Sequence, residues 1–168
     1  ISGSGTSSTY NTNQASTTIT VSNATAGVRV RQTKTRFLYQ PGKSQYIIMT
    51  AIIGAMSTGI IKRIGQFDNN NGVFFETSGT TLSVVIRTNT SGSPTDISVP
   101  QSSWNVDKLD GTGASGITLD TTKTQILFVD YEWLGVGRVR FGFFVNGVPI
   151  ICHTIDHANI STLVYMST

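Results

Sequence analysis

Four stretches of this chain carry residues that could do chemistry. "QPGKS" (40–44) ends like a phosphate-binding loop, and "GVGRVRFG" (135–142) has the glycines of a dinucleotide turn. "HTIDH" (153–157) brackets an aspartate with two histidines, and "DKLDGTG" (107–113) sets two aspartates in a glycine-rich loop. Spacing decides among them. A phosphate loop needs a glycine five positions before Gly42, so that its backbone can wrap the phosphates; this chain has Phe37 there. No helix follows, and Pro41-Gly42 reads as a turn. In the dinucleotide motif the third glycine comes three residues after the second and opens a helix that holds the pyrophosphate. Gly142 comes five after Gly137, and a strand continues.

The histidines and aspartates leave more open. His153 and His157 share a face in a strand, about 13 Å apart at strand rise, and a turn at Asp156 would bring them closer. Asp107 and Asp110 could hold Ca²⁺ through carboxylates and loop carbonyls, although the EF-hand spacing is absent. Their other reading is a long ordered loop with Trp104 packed under it and carboxylates bonding the local backbone. No G-x-S-x-G elbow occurs. The reading is therefore non-enzymatic, with Ca²⁺ the one cofactor worth testing.

Two arginine pairs and three aromatics complete the candidates. Arg29 and Arg31 would share one strand face, as would Arg138 and Arg140. Nucleic-acid binding wants aromatics on the arginine face for stacking, but Phe141 and Phe143 fall opposite Arg138 and Arg140. Pairing with Asp130 or Glu132 on a neighbouring strand, or salt bridges between subunits, fits better. Trp104, Tyr131 and Trp133 could stack on sugar rings.

The elements that must position these residues are strands. The chain has 168 residues, enough for one domain with a core. Charged residues make up 12%, about half the usual share, with Ser, Thr, Asn and Gly supplying polarity, and the net charge is +3. That charge does not demand a nucleic-acid partner. Cys152 is the sole cysteine, so no intrachain disulfide forms, and it reads as a small buried side chain. No apolar run reaches the roughly 18 residues of a membrane span.

Residues 1–16 are polar and read as a flexible arm or linker. From residue 17 to 168 a single β-sandwich domain is expected. Period-two alternation or β-branched runs predict strands over 17–23, 27–36, 44–53, 59–67, 73–77, 81–90 and 97–101. Further strands are predicted over 117–120, 124–134, 137–147, 148–155 and 161–166. The 44–53 run is nearly continuous and reads as a buried strand; Pro100 marks an edge or strand end. "DNNNG", "SGT" and "NGVP" supply turns. Residues 102–116 form the longest irregular region. The fold class is all-β, an antiparallel β-sandwich of jelly-roll or concanavalin-like type, with ten or more short strands and little or no helix.

The blocks "YQPGKSQYI", "KRIGQFDNNNGVFFE", "SSWNVDKLDGTGASGITLD", "KTQILFVDYEWLGVGRVRFGFFVNG" and "HANISTLVYMST" resemble a family of viral structural proteins. Such proteins are common among tailed-phage and environmental virus sequences. The likeness runs from about Thr17 to Thr168 and is most specific over 123–147. It implies a non-enzymatic virion component, in a capsid, fibre or tail. Its partners would be further copies of itself, other virion proteins or a host-surface glycan. Opening on Ile1 and stopping on Thr168 after an apolar run, the sequence reads as part of a longer polypeptide. A shorter likeness, tryptophan followed by a strand and "FFVNG", is similar to concanavalin-like and laminin-G-like sandwiches. It implies the rival reading, a carbohydrate-binding lectin-like module.

Overall fold

A computed structural model describes residues 2–37, 42–132 and 136–166. Among them are ten strands and one short 3-10 turn at Gln101–Ser103. Strands β1 (Thr6–Asn11) and β2 (Ser16–Val21) form a hairpin. Strands β4 (Ile61–Phe67), β5 (Gly72–Ser78), β6 (Thr81–Thr88) and β7 (Thr95–Pro100) form one antiparallel sheet in chain order. Strands β3 (Gln45–Ala51), β8 (Gln125–Tyr131), β9 (Val139–Val145) and β10 (Val148–Ile155) form the other, in the order β10-β9-β8-β3. The chain stays in one sheet from β4 to β7, so consecutive strands do not alternate between sheets as in a jelly roll. No helix among the described residues is long and apolar enough to cross a membrane.

Alternation builds the core between these sheets. Val73, Phe75, Val84 and Ile86 point inward from one; Leu127, Val129, Val139, Phe141 and Phe143 point inward from the other. Phe75 bridges them, meeting Phe141 edge-on at 5.5 Å between centroids and Phe143 at 5.1 Å. Each such side chain contributes roughly 1.5–3 kcal/mol by leaving water. The expected turns are present. Asp68 accepts the N–H groups of Asn70 and Asn71 between β4 and β5. Asn146 and Gly147 both take positive φ, 53° and 79°, the geometry that joins β9 to β10 tightly.

Some elements differ from expectation. The stretch expected to be an arm contains β1, whose whole length pairs with β2. A two-stranded ladder satisfies backbone groups without needing apolar side chains, which is why a polar composition concealed it. Residues 27–36 are not a strand; only Val28 bridges to Ser2. The alternation there is inverted, with Val28 and Val30 exposed and Arg29 half-buried. The 117–120 and 161–166 runs also lack strand pairing beyond an isolated Asp110–Thr118 bridge. Strand β3 is half-buried on one face alone, because Ile47, Met49 and Ala51 pack against the core and nothing described covers Tyr46 and Ile48.

Candidate functional site

The loop after β7 carries the candidate Ca²⁺ carboxylates Asp107 and Asp110, and its side chains hold the loop itself. Asp107 is buried, with Oδ1 accepting the Leu109 N–H at 2.8 Å and Oδ2 accepting the Ser115 N–H at 2.8 Å. Burial pushes its carboxyl pKa up, but those backbone donors outweigh it and hold the group below its ordinary value. Leu109, turned to φ 50°, is drawn fully into the core. Asp110 is exposed and accepts from the Thr112 hydroxyl and N–H. The two carboxylates thus serve separate local turns instead of converging on a cation. No group of three or more His, Cys, Asp or Glu able to hold a metal occurs among the described residues.

Two of the three aromatics expected to stack on sugars, Trp104 and Tyr131, are packing residues. Trp104 is buried against Phe143, and its indole N–H donates to the Val99 carbonyl at 3.2 Å. Tyr131 is buried as well, with its hydroxyl 2.5 Å from Gln45 Oε1 and 2.8 Å from Gln66 Oε1. Burial pushes its phenol up to about 12. A ring enclosed on both faces cannot stack on a sugar. Trp133 lies outside the described residues, as do Pro41 and Gly135.

The arginines divide. Arg29 tucks toward the hairpin and donates to the Thr6 carbonyl at 3.0 Å, so it forms no stripe with the exposed Arg31. Arg138 pairs with Asp156 at 2.5 Å. Arg140 lies on the sheet face opposite Phe141 and Phe143, donating to Asp130 at 2.8 Å and lying 3.4 Å from Glu132. The neighbouring-strand pairing expected from sequence is therefore present. His153 and His157 part company. His153 Nδ1 accepts the Asn105 N–H at 3.1 Å, and burial lowers the pKa of its imidazole. His157 stacks on Tyr165 at 3.9 Å. Burial pushes the Cys152 thiol up, and it donates to the Phe141 carbonyl at 3.2 Å.

One surface emerges that the sequence reading did not single out. The outer face of the β10-β9-β8-β3 sheet has aligned rows: Ile48, Phe128, Gly142 and Ile151; then Thr50, Ile126, Phe144 and Pro149. Phe128 is buried there, outside the central core. It lies over Gly142, where an added Cβ would come within 2.3 Å of its ring, so that position requires glycine. Tyr46 and Phe144 flank it, at 5.5 and 5.3 Å between centroids. Tyr46 remains 51% exposed, Ile48 53% and Ile126 39%. The signal lies in "QYIIMTA" and "QILFVDY", where both alternating sets contain apolar residues; in the first, that continuity reads as deep burial instead. Comparison of the chain with protein-family models, curated proteins and solved structures finds no match. The viral resemblance thus rests on the sequence blocks alone.

Proposed function

We propose that this chain is a non-enzymatic structural subunit that acts through surface contacts, as a component of a virus particle. The observation that supports it is the open apolar strip of Tyr46, Ile48 and Ile126 on a sheet face built over a buried Phe128. A rigid sandwich presenting such a strip is suited to burying it against a neighbour. The candidate chemical groups, meanwhile, are occupied in holding loops and strands together. The particle is the assembly implied by the sequence resemblance. Immunogold electron microscopy of purified particles, using an antibody to this chain, tests the reading. Label on shell, fibre or tail supports it; label confined to free monomer in the cell fraction overturns it. The lectin-like alternative loses its main support with Trp104 and Tyr131 in the core.

A further inference from the structure

The two sheets have four edges, and three are blunted in ways that discourage further strand pairing. On β10, the loop covers the edge. The Val106 and Asp107 N–H groups both donate to the Cys152 carbonyl, at 3.2 and 3.1 Å. The Asn105 amide imitates a strand beside Thr154, accepting its N–H at 2.9 Å and donating to its carbonyl at 2.9 Å. That strand also carries Pro149 and a register shift between Ile151 and His153. On β7, the sequence TDISVP brings an aspartate to the edge and ends on proline. On β4, Lys62 and Arg63 stand on the edge strand, and the Lys62 ammonium donates to the Ile53 and Ala55 carbonyls.

Among the described residues, strand β3 has none of these devices. It reads QYIIMTA, without charge, proline, glycine or register shift. Among the described residues, β8 is its only strand partner. Its outward side chains Tyr46 and Ile48 are half exposed or more.

We propose that the free edge of β3 pairs antiparallel with β3 of a second copy of this chain, joining two four-stranded sheets into one continuous sheet. The strand suits itself as partner. With a two-fold axis at Ile48, Tyr46 of one copy faces Thr50 of the other, Ile47 faces Met49, and Ile48 faces Ile48. No charge meets a like charge anywhere along the seven residues, since the strand has none. The pairing is isologous, the kind of contact that closes a symmetric dimer. It also continues the outer apolar row from Phe128 through Ile48 across the axis. The inference deepens and rests on the subunit reading above, but it can fail separately: particle labelling does not report on β3, and dimerisation does not report on particles.

Sedimentation velocity of the whole chain over a dilution series is the test, with Ile48→Lys and Ile126→Lys compared. Lysine at 48 sets two ammonium groups opposite each other on the axis and weakens the dimer more than tenfold. Lysine at 126, on β8 inside the sheet, leaves it within about twofold. A wild type that is monomeric throughout, or an Ile48→Lys dimer of unchanged strength, overturns the proposal. Equal loss in both variants also overturns it, because it indicates stacking of sheet faces. Should Ile48→Lys fail to fold, amide exchange on the wild type decides. Protection of β3 that rises with protein concentration supports edge pairing, and protection independent of concentration overturns it.

Discussion

The outer faces of the two sheets solve one problem in two ways. Each seats a buried phenylalanine over a glycine of the neighbouring strand. On the β4-β5-β6-β7 sheet, Phe74 lies beside Gly65, where a Cβ would approach the Phe74 Cα to 2.5 Å. Phe67 packs on it at 4.6 Å between centroids, and the rest of its roof is charged. The Arg63 and Arg87 guanidinium carbons stand 5.6 and 5.4 Å from its ring centroid. Each arginine is anchored, Arg63 to Glu76 at 2.6 Å and Arg87 to Asp96 at 2.7 Å. Phe74 and its neighbour Val85 are completely enclosed as a result. On the opposite sheet Phe128 is roofed by Tyr46 and Phe144, with the Arg140–Asp130 pair beside Tyr46, and the rest of the roof stays apolar and open. A face finished with paired charges is complete as a monomer. One finished with aromatics and isoleucines still has area to bury.

The strongest way to break this contrast is to remove what each roof protects or exposes. Phe74→Ala should cost about 3–5 kcal/mol, as for a buried core aromatic. Tyr46→Ala should cost about 1 kcal/mol or less, since half of that side chain is already in water. Urea unfolding of both variants at a concentration where the wild type is monomeric checks this, and equal losses would contradict the difference between the faces. Next in size, Arg87→Ala should cost about 1–2 kcal/mol, combining a lost cation–π contact with a stranded Asp96. Retaining the guanidinium while cutting its anchor, with Asp96→Asn, should cost less.

Acid should sharpen the contrast further. The hydrogen bond from Arg87 holds the Asp96 carboxyl below its ordinary value of 3.8. A depressed carboxylate contributes stability above its unfolded pKa, and that contribution disappears as pH falls through the folded value. The charged roof therefore loosens below about pH 4, while Tyr46 on the other face, its pKa raised by burial, has no proton to gain. Thermal melts from pH 6 to pH 2 should show a smaller acid loss in Asp96→Asn than in wild type. Asp107 adds a loss of the same sign in both proteins, so the difference between them isolates Asp96. The smallest effect is expected for Ile48→Ser, within about 0.5 kcal/mol of wild-type monomer stability; a larger loss in urea unfolding would mean Ile48 is held more firmly than its exposure indicates.

Local chemistry decided how much could be read in advance. Turns with their own signatures, such as Asn146-Gly147 and Asp68 through Gly72, located the hairpins β9–β10 and β4–β5 correctly. Alternation alone was less dependable. "GVRVR" alternates as cleanly as any strand, yet the ladder requires a partner, and residues 29–37 pair with none described. The Asp107 loop was legible as one of two readings, and its geometry selected the carboxylate-to-backbone one. Trp104 likewise had two readings, and packing under the loop is the one its burial matches; the burial of Tyr131 was not legible, because burial is decided by whichever sheet folds over a residue, information that is absent from its neighbours in sequence. The open β3 face was hidden for the same reason: an apolar run does not say which of its two sides receives a cover.

The pairing of β3 with β8 has a consequence in time. These strands hydrogen-bond along their whole length, Gln45 to Tyr131 and Ala51 to Gln125. Between them the chain must first supply all of the β4-β5-β6-β7 sheet and the long loop after it. A contact this distant in sequence is slow to close. During synthesis β3 emerges well before β8 and waits with both edges unpaired, as an adhesive strand beside other nascent copies. Its folding yield is therefore a contest between one intramolecular partner that arrives late and many intermolecular ones already at hand.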